Sequence, residues 1–241
     1  MDKRVRPQVG AAGRTADTVA KMARSQAEPS RDAERSRRSL LAAAESAFAE
    51  HGFDGVSLAR IAEHAGLSRA APNYFFGSKR QLYQAVLWEV MHAREESLAA
   101  AFRPLKALAE SATEVPDQHL EAAVQAAIDG YVRFLDERPT FARLISWENL
   151  RGAHDLSSTA GASTAISDAF GQLAQNAQRL GLTVFDPRLL TAAFVSLLFL
   201  PIAHQPTFAR GSDFDTLDPS FRLPYQTLVR QIIVRLLTNP G

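Results

Sequence analysis

The chain has 241 residues, of which 46% are hydrophobic and 22% charged, so it can bury a sizeable core in one large or two smaller domains. It contains no cysteine, which excludes disulfide frameworks, zinc ribbons and thiol nucleophiles. Residues 1–80 carry 14 Lys and Arg against 9 Asp and Glu, whereas residues 81–241 carry 13 against 17. Because the N-terminal part is basic and the rest of the chain is acidic, a nucleic acid would be expected to bind the N-terminal part alone.

Residues 1–30 contain scattered basic side chains and almost no large apolar ones. We therefore expect a disordered basic tail, because such a segment cannot offset its ordering entropy. Neither a signal-peptide core nor a run of about eighteen apolar residues occurs in the sequence. The expected location is therefore cytoplasmic, with no membrane partner.

Apolar residues recur at helical spacing over residues 35–51, and Gly52 supplies a stop. Ser57 is a good N-cap for a second helix that ends at Gly66. After a turn of only two residues, Ser68 is expected to cap a third, very short helix.

Ser78 predicts the start of a long fourth helix that Pro104 ends, and helical spacing continues beyond it. Asp186 and Asp218, each followed by proline, predict the starts of the last two helices. Strand-type alternation of useful length is absent from the sequence. The chain is therefore predicted to be all-α, with about nine helices.

Residues 57–75 have the layout of a helix-turn-helix, two helices joined by a tight turn that contains glycine. Gly66 lets the backbone turn without a Cβ clash, and Leu67 plugs the small core beneath it. The open face of the second helix is then free to enter a DNA major groove. The alternative is a structural three-helix unit that binds no DNA.

Two stretches resemble the DNA-binding domain of the TetR family of transcriptional regulators, SLARIAEHAGLS at 57–68 and YFFGSKRQLY at 74–83. Helix one joins the similarity through Ala44, Phe48 and the stop at Gly52, so about 50 residues are covered. Beyond Leu87 the resemblance is architectural only.

The resemblance implies a three-helix DNA-binding domain at 31–84, joined by a long helix to a helical effector-binding and dimerisation domain at 85–241. It implies a homodimer on a pseudo-palindromic operator in double-stranded DNA, with one recognition helix per major groove. We expect a repressor that leaves its operator when a small-molecule effector changes the separation of the two DNA-binding domains.

The resemblance places DNA-contacting positions on the recognition segment and at the start of helix four: Ser68, Arg69, Ala70, Ala71, Asn73, Tyr74 and Lys79. Arg69 can bind guanine with two hydrogen bonds, Asn73 can pair with adenine, and Ala71 can touch a thymine methyl. Ser57, Tyr74 and Lys79 are better suited to phosphate. Arg69 could instead be only a solvated charge.

Three arginines at the start of helix one, Arg35, Arg37 and Arg38, are candidates for a neighbouring phosphate or the minor groove, or else form an ordinary exposed helix start. Asn73 departs from the family, which usually has tyrosine there. Pro72 is expected to forfeit the first intrahelical hydrogen bond and to reorient the helix slightly. The two departures favour an alternative, a helical small-molecule-binding or scaffolding protein with weakened DNA reading.

Aromatic residues at helical spacing are candidates for the wall of an effector pocket, although such stripes are often core: Phe102, Tyr131, Phe134, Phe141, Trp147 and Phe170. Glu148 is expected to lie on a helix surface or to bind a cationic effector. The six histidines show no paired metal spacing, and no phosphate loop or nucleophile elbow occurs. We therefore expect no metal, no cofactor and no enzymatic activity.

The last two helices, at about 188–204 and 220–238, are strongly apolar on at least one face. We expect them to pack against their copies in a second subunit as a four-helix dimer interface.

Overall fold

The computed structural model describes residues 31–110, 116–159, 164–182, 185–211 and 215–238, and no strand occurs among them. The all-α prediction is confirmed. The predicted tail at 1–30 lies outside the described residues. The helices are α1 (Arg31–His51), α2 (Leu58–His64), α3 (Ala71–Phe76), α4 (Lys79–Ala101), α5 (Arg103–Ala109), α6 (Asp117–Glu137), α7 (Pro139–Leu150), α8 (His154–Thr159), α9 (Thr164–Arg179), α10 (Pro187–Ala203), α11 (Gln205–Gly211) and α12 (Pro219–Thr238).

Twelve helices are therefore described, where the sequence predicts about nine. The three additional helices are α5, α8 and α11, which have six or seven residues each. Helices of two turns or fewer give too few repeats for a 3.6-residue period to stand out. The chain divides into two compact units, residues 1–39 and 40–241.

Most of the predicted helix ends are confirmed. Gly52 and Gly66 adopt positive φ values of 70° and 68°, a conformation that glycine enters without a Cβ penalty. The Ser57 hydroxyl accepts the backbone N–H of Arg60, and the Ser78 hydroxyl accepts the backbone N–H of Gln81, each at 3.2 Å. The Asp186 carboxylate caps α10 in the same way, through the Arg188 backbone N–H at 2.9 Å.

The predicted cap at Ser68 is wrong. Helix α3 begins at Ala71 with Ala70 as its N-cap, and the Ser68 carbonyl accepts the Ala71 N–H in the preceding turn. Pro72 is therefore the second residue of the helix. The N–H groups of a first turn have no intrahelical acceptor, so the proline sacrifices no hydrogen bond there, contrary to our expectation.

Within the larger unit we call residues 40–84 the head and residues 85–238 the body. In the body, α4 packs against α6, α9 packs against α5 and α10, and α12 packs against α6 and α10. Their buried side chains form one hydrophobic core that continues into the head. None of the helices in the described ranges combines the length and apolar character needed to cross a membrane.

Candidate nucleic-acid interface and effector site

The head holds its short recognition helix on a small core. Ile61 of α2 is fully buried, and Leu67 packs against the same core from the turn. The open space around Gly66 and its positive φ let the chain reverse within a few residues. Helix α3 consequently leaves one face uncovered.

The residues on that face are exposed in the structure: Ser68, Arg69, Ala70, Asn73 and Tyr74. Tyr74 is 82% exposed and touches Phe75 edge-on, with ring centroids 5.0 Å apart. Within the described ranges, Arg69 forms no hydrogen bond or ion pair. These side chains are therefore available to a ligand as large as a DNA duplex.

Ala71 differs from its neighbours, because its side chain is only 9% exposed. It lies in the first turn of α3 on the face that packs into the core, beside the buried Pro72. This burial argues against the predicted contact between Ala71 and a thymine methyl. The periodicity of so short a helix does not reveal which face is buried.

The candidate phosphate contacts have local partners of their own. Lys79, the first residue of α4, places its Nζ atom 4.5 Å from the ring centroid of Phe53. In the smaller unit, Arg35 pairs with Asp32 at 2.9 Å and Arg38 lies 3.9 Å from Glu34. Exposed pairs of this kind contribute little to stability and break readily for a phosphate.

A buried carboxylate joins the head to the body. Glu148 of α7 is 0% exposed, so the expected surface glutamate is wrong. Its Oε1 atom accepts the Tyr83 hydroxyl at 2.8 Å and lies 3.4 Å from Arg151 Nη1. Its Oε2 atom accepts the backbone N–H groups of Asp155 and Leu156 at 3.2 Å each. Burial, with the hydrogen bond to Glu148, raises the pKa of Tyr83 well above its ordinary value.

A second buried carboxylate extends this contact along α4. The Oδ1 atom of Asp155 accepts Arg80 Nε at 2.9 Å and Gln84 Nε2 at 3.1 Å. Ala153 precedes it at a φ of 56°, rare for a residue with a Cβ, and donates its N–H to the Glu148 carbonyl at 2.7 Å. The head–body network is defined by six side chains: Arg80, Tyr83, Gln84, Glu148, Arg151 and Asp155.

Trp147 also contacts the head. Its Nε1 atom donates to the Ala49 carbonyl at 3.2 Å, and its indole lies so close to Gly52 that a Cβ there would stand 3.0 Å away. These contacts favour a role in joining head and body over the predicted role in a pocket wall. A second contact joins the head to α7, because the carboxylate of Glu45 in α1 accepts the hydroxyl of Thr140.

The other five aromatic candidates, Phe102, Tyr131, Phe134, Phe141 and Phe170, are all buried in the body. Phe194 of α10 packs with Phe102, Tyr131 and Phe170, at ring-centroid distances of 5.3, 5.9 and 5.8 Å. Phe134 and Phe141 pack edge to face 5.0 Å apart. Phe194 has the same helical spacing as these residues but is not among the sequence-predicted pocket candidates. We call these six rings the aromatic cluster.

Sequence reasoning also missed a buried cation beside the aromatic cluster. Arg94 of α4 is 8% exposed, and its guanidinium lies 5.8 Å from the Phe141 ring centroid. Its Nε atom has no hydrogen-bond partner among the residues that the structure describes. Arg94 falls on the apolar stripe of α4 one turn after Val90 and one turn before Leu98, which was the available signal.

The head contains a helix-turn-helix and the body is a helical bundle, and comparison with known proteins identifies the class of protein. Residues 40–86 match the family model described as "Bacterial regulatory proteins, tetR family". Residues 121–233 match the model described as "Tetracyclin repressor-like, C-terminal domain". The chain belongs to the TetR family of transcriptional regulators.

Similar proteins carry the same description. The HTH-type transcriptional regulator RutR of Escherichia coli (strain K12) is 36% identical over 121 residues, 48% of this chain and 49% of the relative. The HTH-type transcriptional repressor NicS of Pseudomonas putida is 32% identical over 123 residues, 51% of this chain and 52% of the relative. The matches thus span about half the length of these relatives.

The fold is also found in solved structures. A TetR-like transcriptional regulator from Rhodococcus sp. RHA1 has a TM-score of 0.57 and 16% sequence identity, covering 85% of this chain and 96% of that chain. At this identity the likeness establishes the shared fold.

Proposed function

We propose that the chain is a repressor that binds a pseudo-palindromic operator as a homodimer and releases it when a small molecule binds in the body. In this proposal residues 31–84 read DNA and residues 85–241 bind the effector and dimerise. The exposed recognition face of α3 carries the proposal. The side chains of Arg69 and Asn73 on this face form no hydrogen bond with the described residues and are suited to base edges, whereas a structural packing unit would cover them.

Arg69 and Asn73 are the candidates for base reading, and Tyr74 and Lys79 for phosphate contact. Lys79 lies in the first turn of α4, where the helix dipole favours an anion, and its ammonium can leave the Phe53 ring for a phosphate. The alternative of weakened DNA reading loses support, because Pro72 breaks no hydrogen bond of α3.

The head–body network supplies a physical route from effector to DNA. Arg80, Tyr83 and Gln84 lie on the part of α4 that belongs to the head, and their partners Glu148 and Asp155 lie in the body. Because both carboxylates are buried, these bonds constrain the angle between α4 and the α7–α8 turn. An effector that shifts α4 would therefore reposition the recognition helix.

The dimer is proposed to form through α10 and α12. Leu189 of α10 is 71% exposed, and Leu223 and Leu228 of α12 are 64% and 51% exposed. Leucines are rarely this exposed in such number on two neighbouring helices unless a partner covers them. The same helix pair from a second subunit would bury these side chains in a four-helix interface.

The DNA-binding proposal is tested by a mobility-shift titration against the DNA flanking the chain's own gene, at several salt concentrations. Arg69→Ala is expected to weaken specific binding about tenfold to a hundredfold and to relax sequence preference. Lys79→Ala is expected to weaken all duplexes alike and to reduce the salt slope of the homodimer by about 2, because one phosphate is then no longer neutralised in each of its two heads.

Arg133→Ala, at an exposed cation on α6, serves as the control and is expected to leave affinity unchanged. Equal affinity of the wild-type chain for its flanking DNA and for random duplex would overturn the proposal. Identical effects of the two head substitutions would overturn the division of roles between Arg69 and Lys79.

The dimer is tested by sedimentation of a Leu189→Glu, Leu228→Glu double variant at micromolar concentration. Each leucine buried in an interface contributes about 1.5–3 kcal/mol, so the double variant is expected to sediment as a monomer. Leu150→Glu, at a similarly exposed leucine on α7, is expected to stay dimeric. A monomeric wild-type chain would contradict the proposed interface.

A further inference from the structure

Arg94 occupies an unusual position for a cation. It lies on the inward face of α4, beside the fully buried Leu98 and facing Tyr131 of α6 and Phe141 of α7. A guanidinium has five N–H donors, and the Nε donor of Arg94 is buried without a hydrogen-bond partner among the described residues. The Phe141 ring face attracts the charge but accepts no conventional hydrogen bond.

Arg94 has no counter-charge in the described part of the chain, where none of its nitrogen atoms forms an ion pair with a carboxylate. The neighbouring Glu95 turns toward α9 and accepts the Ala165 backbone N–H at 2.8 Å. Tyr131 does not supply a negative charge either, because burial raises the pKa of its hydroxyl above the ordinary value despite the nearby cation.

Burying a cation without an anionic partner is costly, and a chain under selection for stability alone would place an apolar residue there. Departures of this kind from the rules of core packing are expected at functional sites. The position of Arg94 also matches the aromatic cluster, which would hold the apolar part of a ligand while the guanidinium holds its charged end.

We infer that the effector is a small carboxylate whose carboxyl group binds Arg94 and whose apolar part packs against Tyr131, Phe141 and the neighbouring rings. This inference rests on the proposed effector site and names the chemical class of its ligand. A carboxylate can accept two parallel N–H groups from a guanidinium. The neutral Tyr131 hydroxyl can donate a further hydrogen bond to the same group.

The placement of Arg94 on α4 connects this site with the head. Tyr83 precedes Arg94 by eleven residues on the same helix, a distance of roughly 16 Å along the axis. A carboxylate bound between α4 and α6 would contact α4. The same helix carries Arg80, Tyr83 and Gln84 of the head–body network. Effector binding and release of DNA would then share one rigid element.

The inference is tested with the purified full chain and matched pairs of probes: benzoate with benzamide, phenylacetate with phenylacetamide, and hexanoate with hexanamide. At millimolar concentration we expect at least one carboxylate to raise the Tm by several degrees, and its isosteric amide to raise it far less. If no carboxylate raises the Tm more than its amide, the inference is overturned.

Arg94→Met keeps much of the length of the side chain and removes the charge. We expect this variant to fold with a Tm no lower than that of the wild-type chain and to bind the carboxylate about a hundredfold more weakly. Arg143→Met, at an exposed arginine on α7, is the control and is expected to bind like the wild-type chain. A large fall in Tm for Arg94→Met, or unchanged carboxylate affinity, would show that Arg94 is structural.

Binding and release are measured separately, so two failures can be told apart. A carboxylate that binds through Arg94 but leaves the DNA complex intact would uphold the carboxylate site at Arg94 and contradict its role in releasing DNA. A neutral compound that releases DNA while no carboxylate binds would uphold the proposed function and overturn the inference.

Discussion

Two buried charges in this chain are held in opposite ways. In the head–body network, Glu148 is surrounded by a hydroxyl, two backbone N–H groups and a guanidinium. Beside the aromatic cluster, the Arg94 guanidinium lies against the Phe141 ring and the Tyr131 hydroxyl, and no carboxylate of the described residues pairs with it. A satisfied charge fixes geometry, whereas an unsatisfied one is available to a ligand of opposite sign. Burial of a charged side chain therefore has different consequences in the two regions.

The largest expected effect is at Glu148. Glu148→Ala removes the acceptor from Tyr83, Arg151 and the first turn of α8, all in buried surroundings, and is expected to lower the free energy of unfolding by about 3–5 kcal/mol. Urea unfolding followed by circular dichroism measures the change. Glu137→Ala, at an exposed glutamate ending α6, is the control. If the free energy of unfolding decreases by less than about 1 kcal/mol, the expected difference between Glu148 and Arg94 is contradicted.

An intermediate effect is expected at Tyr83. Tyr83→Phe deletes one charged hydrogen bond and is expected to cost about 1.5–3 kcal/mol near neutral pH, in the same urea assay. Tyr74→Phe, on the exposed face of α3, is expected to change stability little.

The raised pKa of Tyr83 adds a dependence on pH. Below about pH 10 the hydroxyl is protonated in both the folded and the unfolded chain, and its contribution to stability is complete. Above that pH the unfolded chain ionises first, so stability falls as pH rises, by up to about 1.4 kcal/mol per pH unit for each buried tyrosine. Tyr83→Phe is expected to flatten this decline and to leave the parts due to Tyr131 and Tyr225, whose pKa values burial also raises. If stability falls with pH as steeply in Tyr83→Phe as in the wild-type chain, the Tyr83 hydroxyl is not held in the head–body network as proposed.

The smallest effect, of opposite sign, is expected at Arg94. Arg94→Met removes the buried, unpartnered Nε donor, which costs about 1–3 kcal/mol, and gives up a cation–π interaction worth about 0.5–1 kcal/mol. We expect the free energy of unfolding to rise by about 1 kcal/mol, measured as for Glu148. A fall of similar size would mean that both buried charges stabilise the fold.

The head shows which structural features can be predicted from short-range sequence patterns. Ser57, Gly66 and Ser78 predicted where its helices end, because caps and positive-φ turns depend on neighbours only a few residues away. The predictions of a cap at Ser68 and of an accessible Ala71 failed, because a helix of six residues has too little periodicity to reveal its buried face.

The sequence by itself determined the all-α fold, the helix-turn-helix and the candidates Arg69, Asn73, Tyr74 and Lys79, since all follow from short-range spacing and a family motif. The tertiary structure decided which charges are buried and with what partners. Tyr83 and Glu148 are 65 residues apart in the chain, and α4 and α6 enclose Arg94 only after folding. No short-range pattern records such a pairing, because the desolvation of a side chain depends on the helices that pack over it.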